Sequence, residues 1–398
     1  LGRLKTLNEW LDWQEDLHTQ EIDLGLKRIQ HVYQQLFPDG APFQVITVAG
    51  TNGKGSTIAF IDSIYQQSDF KVGAFTSPHL IKYNERFSIN GTTASDGIIC
   101  QAFDTIEACR SEISLTYFEF STLAALVIFA FEELDVAILE VGLGGRLDSV
   151  NIVDPNVSVI TNIAIDHTDY LGDTREAIGF EKAGIMRNNT PCVCGDQDPP
   201  DTIQKQADNI GALLTFVNKP YQGAIKLKGR HQQYNAALAV EAVKQLQSAL
   251  PIDQNQLSQG LKKASLPGRF QIMAINNKTI VLDVAHNEAA IKVLAKTLRV
   301  EKIPTLAIFS ALKDKNIELM IGAIESCIDE WLIVPLSINR AINTQELVKK
   351  FSLSNKITTC ENMASAIHQA LNTSQYQRVV VFGSFHTVAD AMNILDKY

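Results

Sequence analysis

The sequence predicts an α/β fold in two parts: a P-loop-type domain built on a parallel sheet, followed by a smaller Rossmann-like α/β domain. Three observations carry this expectation. Short β-branched and apolar runs alternate with stretches of helical length along nearly the whole chain, the pattern of a parallel sheet covered by helices. One such run, Val45-Ile46-Thr47-Val48-Ala49, breaks into Gly50-Thr51-Asn52-Gly53-Lys54-Gly55-Ser56-Thr57, a glycine-rich turn with one lysine and several hydroxyls. Finally, Pro267-Gly268 sets two breakers between one series of elements and the next. A chain of 398 residues is too long for one ordinary core, and the expected division is 1–267 and 268–398.

The elements follow in order. Leu4, Leu7, Trp10 and Leu11, then Leu26, Ile29, Val32, Tyr33 and Leu36, recur at helical spacing around an interruption at Asp23-Leu24-Gly25, so two helices with a loop open the chain. A strand over 44–49 and a helix over 56–67 flank the glycine turn. A strand at 71–76, helices at 96–110 and 120–133, and strands at 136–141 and 157–162 come next. A helix begins near 175, strands lie at 192 and 213, and 229–250 and 257–264 read as helices, with Asn235 on the first turns of the former. Beyond the boundary, apolar runs at 279–284, 305–309, 330–334 and 379–382 alternate with helical stretches.

With 45% hydrophobic and 20% charged residues the chain reads as globular, and a net charge of −9 opposes nucleic-acid binding, which needs a basic footprint. No apolar run of about 18 residues occurs, and Leu1-Gly2-Arg3-Leu4-Lys5 lacks a signal-peptide core. A cytoplasmic protein without membrane partners is expected. Six cysteines are scattered without disulfide-like density. Cys192-Val193-Cys194 places two thiols on one face of a strand, which reads as packing rather than a metal site.

The glycine turn reads as a phosphate cradle. Glycines let successive N–H groups face a polyphosphate, Lys54 adds a point charge, and the following helix directs its positive end at the anion. Thr51, Asn52, Gly53, Lys54, Gly55 and Ser56 are therefore candidate nucleotide contacts, making the first domain a P-loop-type ATPase domain. Against the common G-x-x-x-x-G-K-[ST] pattern, Val48 replaces the first glycine, and Gly55 follows Lys54 with Ser56 one place late. A glycine-rich structural turn is the competing reading.

Other polar groups also stand just after apolar strands, where ligands of open α/β sheets collect. Ser77, in Thr76-Ser77-Pro78-His79, is a candidate Mg²⁺ ligand, and Arg86 a candidate for a carboxylate; the alternative is a plain Ser-Pro turn. Glu140 ends a buried run and precedes Gly142, Gly144 and Gly145. An unpaired buried carboxylate is costly, and a hard cation relieves that cost. His167 stands at a third strand end, whereas Lys182 on its own reads as a solvated helix lysine. Past the boundary, Arg269 suits a phosphate and Asp283 a ribose hydroxyl, with His286, Ser384 and His386 after strands nearby. Polar strand ends in both domains suggest a site closed between them.

Taken together, these motifs resemble the Mur ligase superfamily and, within it, the dihydrofolate synthase/folylpolyglutamate synthase family. The resemblance spans nearly the whole chain. It rests on Ala49 to Ser56, Ser77-Pro78-His79-Leu80 with Glu85-Arg86, Leu139 to Asp148 with Asn151, Asp166-His167-Thr168, Glu181-Lys182-Ala183-Gly184-Ile185, Pro267 to Gln271, Asp283 to Asn287 and Gly383-Ser384-Phe385-His386. It implies an ATP-dependent amide ligase that phosphorylates a pterin carboxylate and joins the acyl phosphate to L-glutamate. ATP would be the co-substrate and Mg²⁺, in two copies, the cofactor.

By matching position, the resemblance makes Lys54, His167 and Lys182 catalytic, with Lys182 carbamylated, and Ser77, Glu140 and His167 metal ligands. It adds Asn235, Arg269 and Asp283 as nucleotide contacts. Thr116, Tyr117, Phe118 and Glu119 with Leu147, Asp148 and Ser149 match pterin-binding segments, which the loop at Asp23 to Leu26 would border. Arg86, His286 and Ser384 are the glutamate candidates. The pterin segments imply two activities, on dihydropteroate and on reduced folates. The alternatives are polyglutamylation alone, another Mur-type ligase, or a nucleotide-binding regulator without ligase chemistry. One departure is a stretch over 217–235 shorter than in typical bacterial members. A monomer is expected, since one chain supplies the whole set.

Overall fold

The protein, seen here as a computed structural model, is described over residues 6–20, 22–352 and 356–398. Leu4 of the first helical pattern and the stretch from Leu1 to Lys5 lie outside the described residues. Two compact units form, one from Leu1–Lys226 with Gln232–Ser265 and one from Leu227–His231 with Leu266–Tyr398.

In the first unit, α1 (Leu7–Leu17) and α2 (Lys27–Leu36) precede β1 (Gln44–Ala49), α3 (Lys54–Tyr65), β2 (Val72–Phe75), β3 (Phe87–Ile89) and β4 (Thr92–Thr93). Next come α4 (Asp96–Arg110), α5 (Tyr117–Phe131), β5 (Val136–Glu140), β6 (Val157–Ile160), α6 (Thr168–Leu171) and α7 (Arg175–Lys182). The unit ends with β7 (Pro191–Cys194), α8 (Asp201–Ile210), β8 (Leu213–Phe216), α9 (Arg230–Gln245) and α10 (Gln254–Lys263). The sheet runs β4-β3-β2-β5-β1-β6-β7-β8 and is parallel from β2 to β8. From β1 the chain goes to β2 on one side and later to β6 on the other, so the order reverses at β1, where open α/β sheets bind ligands.

Strands covered on both faces read as unbroken apolar runs, and β5 is buried at every position. α5 is apolar on all sides and buried from Glu119 through Phe129, as expected of a helix inside a core. The rings of Trp10, Phe103 and Phe120 bind α1 to α4 and α5, with centroids 5.6 and 5.3 Å apart along that series. In β7, Cys192 and Cys194 lie in an apolar cluster with Ala49 and Ile160, and burial pushes both thiols up to about 12. Among the described residues, no helix is long and apolar enough to cross a membrane.

The second unit contains β9 (Gln271–Ile275), β10 (Lys278–Leu282), α11 (Glu288–Leu298), β11 (Thr305–Phe309), α12 (Ile317–Ile324) and β12 (Glu330–Ile333). It continues with α13 (Thr344–Val348), β13 (Ile357–Thr359), α14 (Met363–Asn372), β14 (Arg378–Phe382) and α15 (Phe385–Leu395). Its sheet order is β13-β12-β11-β14-β10-β9, with β9 alone antiparallel.

Four strands are absent from the elements expected above: β3, β4, β9 and β13. Two hairpins account for three of them. Asn90-Gly91 turns β3 into β4, and Asn276-Asn277 turns β9 into β10, all four residues having positive φ, as two-residue hairpin turns require. β9 alternates partly buried and exposed positions, so it carries no apolar run.

Candidate active site

Strand register in the first unit assembles the site. β5 pairs with β1 so that Glu140 lies opposite Val48, while Phe75 lies opposite Leu139 and Ala49 opposite Ile160. The residues just beyond these pairs, Gly50, Ser77, Glu140 and Thr161, therefore collect at one end of the sheet. Gly50 has φ 147°, and a Cβ there would lie 1.8 Å from Thr161 Oγ1, so only glycine fits.

The glycine turn is braced from β6. Thr161 Oγ1 donates to Asn52 O at 2.7 Å, Asn52 N to Asn162 Oδ1 at 2.7 Å, and Thr51 N to Asn162 O at 2.9 Å. Gly53, at φ 88°, caps α3, directing that helix's N-terminus at the turn. On the other side, Gln232 Nε2 donates to the buried Ser56 Oγ at 3.2 Å and Gln232 Oε1 accepts from Asn235 Nδ2 at 3.0 Å. Asn235 Oδ1 lies only 2.8 Å from where a Gly53 Cβ would stand. Asn235 is thus brought to the turn, and Gln232, Thr161 and Asn162 are supports that local sequence does not announce.

Charge concentrates here despite burial. Lys54 Nζ donates to Gly50 O at 3.1 Å and lies 4.0 Å from Glu140 Oε1. Glu140 is 5% exposed, and its Oε2 accepts from Ser77 N at 3.0 Å. Asp148 is buried, and burial pushes its carboxyl up to about 6 against the N–H groups of Leu143 and Val150 and the charge of Lys54. Lys182 corrects the reading of a solvated helix lysine: it is 4% exposed. The loop after β5 covers the end of α7, because Gly145 approaches Glu181 O and Lys182 O so closely that a Cβ would lie 2.9 and 3.1 Å from them. Burial first, then the charge of Lys54, hold its amine down at about 7, while Asp166 and Asp148 pull upward.

Ser77, Glu140 and His167 offer a hydroxyl, a carboxylate and an imidazole beyond β2, β5 and β6. Among the described residues, no group of three or more His, Cys, Asp or Glu gathers to hold an ion alone. A hard cation here would draw further ligands from water and phosphate, as Mg²⁺ usually does, and the buried Glu140 carboxylate fits it. His167 is exposed and left-handed, at φ 53° and ψ 43°.

The pterin candidates divide. Thr116 and Glu119 form a capping box on α5, and Glu119 also meets Arg28 at 3.2 Å. Ser149 shares a 2.6 Å hydrogen bond with Thr122. These three have structural work, while Tyr117 and Phe118 are partly exposed and Leu147 is 42% exposed. Arg86 is buried, donates from Nε to His79 Nδ1 at 3.0 Å, and lies against the Tyr83 and Tyr117 rings.

In the second unit, Asp283 accepts from Phe270 N and Ala285 N, both at 2.9 Å. Burial raises its carboxyl, opposed by Arg269, whose guanidinium lies 5.0 Å from the Phe385 ring. His286 Nδ1 donates to Val284 O at 2.9 Å. Ser384 is the N-cap of α15, its Oγ accepting from Thr387 N at 3.0 Å.

Comparison with known proteins gives the family and the fold. Residues 48–211 match the Mur ligase middle domain and residues 268–385 the Mur ligase glutamate ligase domain. The chain is 39% identical to the dihydrofolate synthase/folylpolyglutamate synthase of Escherichia coli, over 98% of this chain and 96% of that one. It superposes with a TM-score of 0.93 on E. coli FolC in complex with DHPP and ADP, at 38% identity over 99% of each chain. The bifunctional folylpolyglutamate synthase/dihydrofolate synthase from Yersinia pestis, complexed with AMPPNP and Mn ion, gives 0.91 at 38% identity, again over 99% of each.

Proposed function

We infer that this chain, which belongs to the dihydrofolate synthase/folylpolyglutamate synthase family of Mur ligases, is an ATP-dependent ligase that joins L-glutamate to 7,8-dihydropteroate and to reduced folates. A carboxylate oxygen of the pterin substrate attacks the γ-phosphorus of ATP, forming an acyl phosphate and releasing ADP. The glutamate amine then attacks the acyl carbon, phosphate leaves, and the nitrogen loses a proton as the amide forms. Positioning and charge stabilisation are the protein's contribution.

The juxtaposition of Lys54 with the buried Glu140, at 4.0 Å beside the glycine turn, supports this reading most. Thr51 to Ser56 hold the phosphates, with Lys54 countering their charge, and Asn235, Arg269 and Asp283 contact the nucleotide. Ser77, Glu140 and His167 hold the divalent cation, Mg²⁺ in the cell and two ions in all; when bound it neutralises charge developing on the transferred phosphoryl group. A lysine amine held near 7 is substantially neutral at physiological pH and suited to carbamylation, R–NH₂ + CO₂ → R–NH–COO⁻ + H⁺, so Lys182 is assigned a carbamate. Tyr117, Phe118, Leu147 and Asp148 border the pterin, with Thr116, Glu119 and Ser149 as supports, and Arg86, His286 and Ser384 receive glutamate. The enzyme works as a cytoplasmic monomer.

The test is ADP release with ATP, Mg²⁺ and L-glutamate, comparing 7,8-dihydropteroate, tetrahydrofolate and no pterin, with the product checked by mass. Release with both pterins is expected. Release with tetrahydrofolate alone reduces the activity to polyglutamylation, and release with neither removes the ligase reading. For the carbamate, Lys182→Ala should lose turnover and regain part of it with added short carboxylic acids.

A further inference from the structure

The segment that ends in His167 is fastened on both sides. On the side of the glycine turn, Thr51 Oγ1 donates to Ala164 O at 3.1 Å and Ala164 N lies 3.0 Å from the same hydroxyl. On the far side, Ile163 N donates to Asp196 Oδ2 at 2.6 Å, and Arg175 Nε donates to Ile163 O at 3.0 Å. Both backbone groups of Ile163 are thus taken by one carboxylate and one guanidinium. These two also meet each other: Asp196 Oδ1 accepts from Arg175 Nη2 at 3.0 Å and from Asp198 N at 2.9 Å. Arg175 donates further to Asp198 O at 2.6 Å and to its carboxylate at 3.2 Å. Asp196 is 7% exposed, in the connection after β7, and Arg175 is the first residue of α7, the helix that ends in Lys182.

Four residues beyond this clamp, His167 adopts left-handed backbone angles. A non-glycine residue holds that conformation only where its surroundings over-determine it. We propose that Asp196 and Arg175 are positioning residues for His167, fixing the Ile163 end of its loop so that the imidazole is presented to the metal. The proposal rests on the metal-ligand role assigned to His167 above. Each acts through the backbone of Ile163.

The chemistry of Asp196 makes this testable with a change of almost no volume. Its two oxygens face only donors: Ile163 N on one side, Arg175 Nη2 and Asp198 N on the other. Asn has one acceptor oxygen, so Asp196→Asn must turn an NH₂ group toward one set of donors and release it. Arg175→Lys keeps the charge but loses the fork that reaches Ile163, Asp196 and Asp198 together. Loss of groups that orient a metal ligand typically weakens metal affinity about 10- to 100-fold.

The experiment measures free Mn²⁺ by electron paramagnetic resonance while titrating protein saturated with ADP, for wild type, Asp196→Asn, Arg175→Lys and His167→Ala, with thermal unfolding of each. Expected are cooperative melting, Mn²⁺ binding about 10- to 100-fold weaker in all three variants, and recovery of turnover in the two clamp variants at raised Mn²⁺. Wild-type affinity in folded clamp variants beside weakened binding in His167→Ala would overturn the positioning role and leave the metal ligand standing. Wild-type affinity in His167→Ala would remove the ligand assignment and the clamp's role with it. If Asp196→Asn does not fold, Arg175→Lys decides.

Discussion

The two sheets end differently. Beyond β1, β5 and β6, charged side chains face one another: Lys54 with Glu140 at 4.0 Å, and Lys182 and Asp148 within reach of the charge of Lys54. Beyond β10 and β14, polar side chains are turned to the unit's own backbone. Asp283 holds Phe270 N and Ala285 N, Asn287 caps α11, and Ser384 caps α15. In sequence both are polar residues after an apolar run, yet one arrangement sets side-chain charges beside one another and the other mainly satisfies backbone N–H groups. Buried charges kept beside one another despite desolvation mark a functional site more strongly than strand-end polarity does.

The largest test of this contrast is Lys54→Ala. Removing the one cation on the glycine turn should cut ADP release about 10³-fold, the scale seen when a preorganised charge-stabilising group is lost, with the far-ultraviolet circular dichroism unchanged. Glu140→Gln comes next. It preserves volume and an acceptor for Ser77 N but removes a charge, so turnover should fall about 10²-fold with weaker Mn²⁺ binding; near-native activity in the folded variant would show that Glu140 merely balances Lys54.

A smaller effect is expected in the second unit. Ser384→Ala removes the cap of α15 and should cost about 1 kcal/mol in denaturant unfolding. Because Ser384 is also assigned to glutamate, its loss should raise the KM for glutamate as well; lost stability with an unchanged KM would leave Ser384 a cap alone and sharpen the contrast. Away from both sheet ends, a pH-dependent effect concerns Asp62, on the helix behind the glycine turn. Its Oδ1 is buried without a hydrogen-bond partner, and burial pushes its carboxyl up to about 6 from 3.8. The stabilising contribution of its protonated form is complete below the unfolded value and is lost as pH rises through about 6. Asp62→Asn should flatten the decline in stability between about pH 4 and pH 7 by about 3 kcal/mol, read from urea midpoints.

Much of this architecture is legible in sequence because strands covered on both faces must be continuously apolar. The runs at β1, β5, β6, β11 and β14 fall within a residue or two of where their composition puts them. What escapes that reading has a physical reason. β9 alternates because it lies on an edge, and only the Asn-Asn turn signals it; β3 and β4 are three and two residues long, with Asn90-Gly91 as their one clear sign. In the site, Lys54, Ser77 and Glu140 declare themselves by position after a strand. Gln232 does not, since it reaches Ser56 from 176 positions away. Asp196 is equally silent, because its partners lie on α7 and after β6. A residue whose role is to orient another has no local pattern of its own.

The two buried thiols of β7 give the molecule an internal recorder of its own opening. Cys192 and Cys194 are buried, with thiolates disfavoured by that burial, while Cys100, Cys109, Cys327 and Cys360 are partly accessible. An alkylating reagent should therefore mark the latter group at rest and the β7 pair only when the strand beside Asp196 parts from its neighbours. Counting added masses over time would convert that separation into a rate, and comparing the rate with and without nucleotide would tell whether an occupied glycine turn quiets a strand two places away in the sheet.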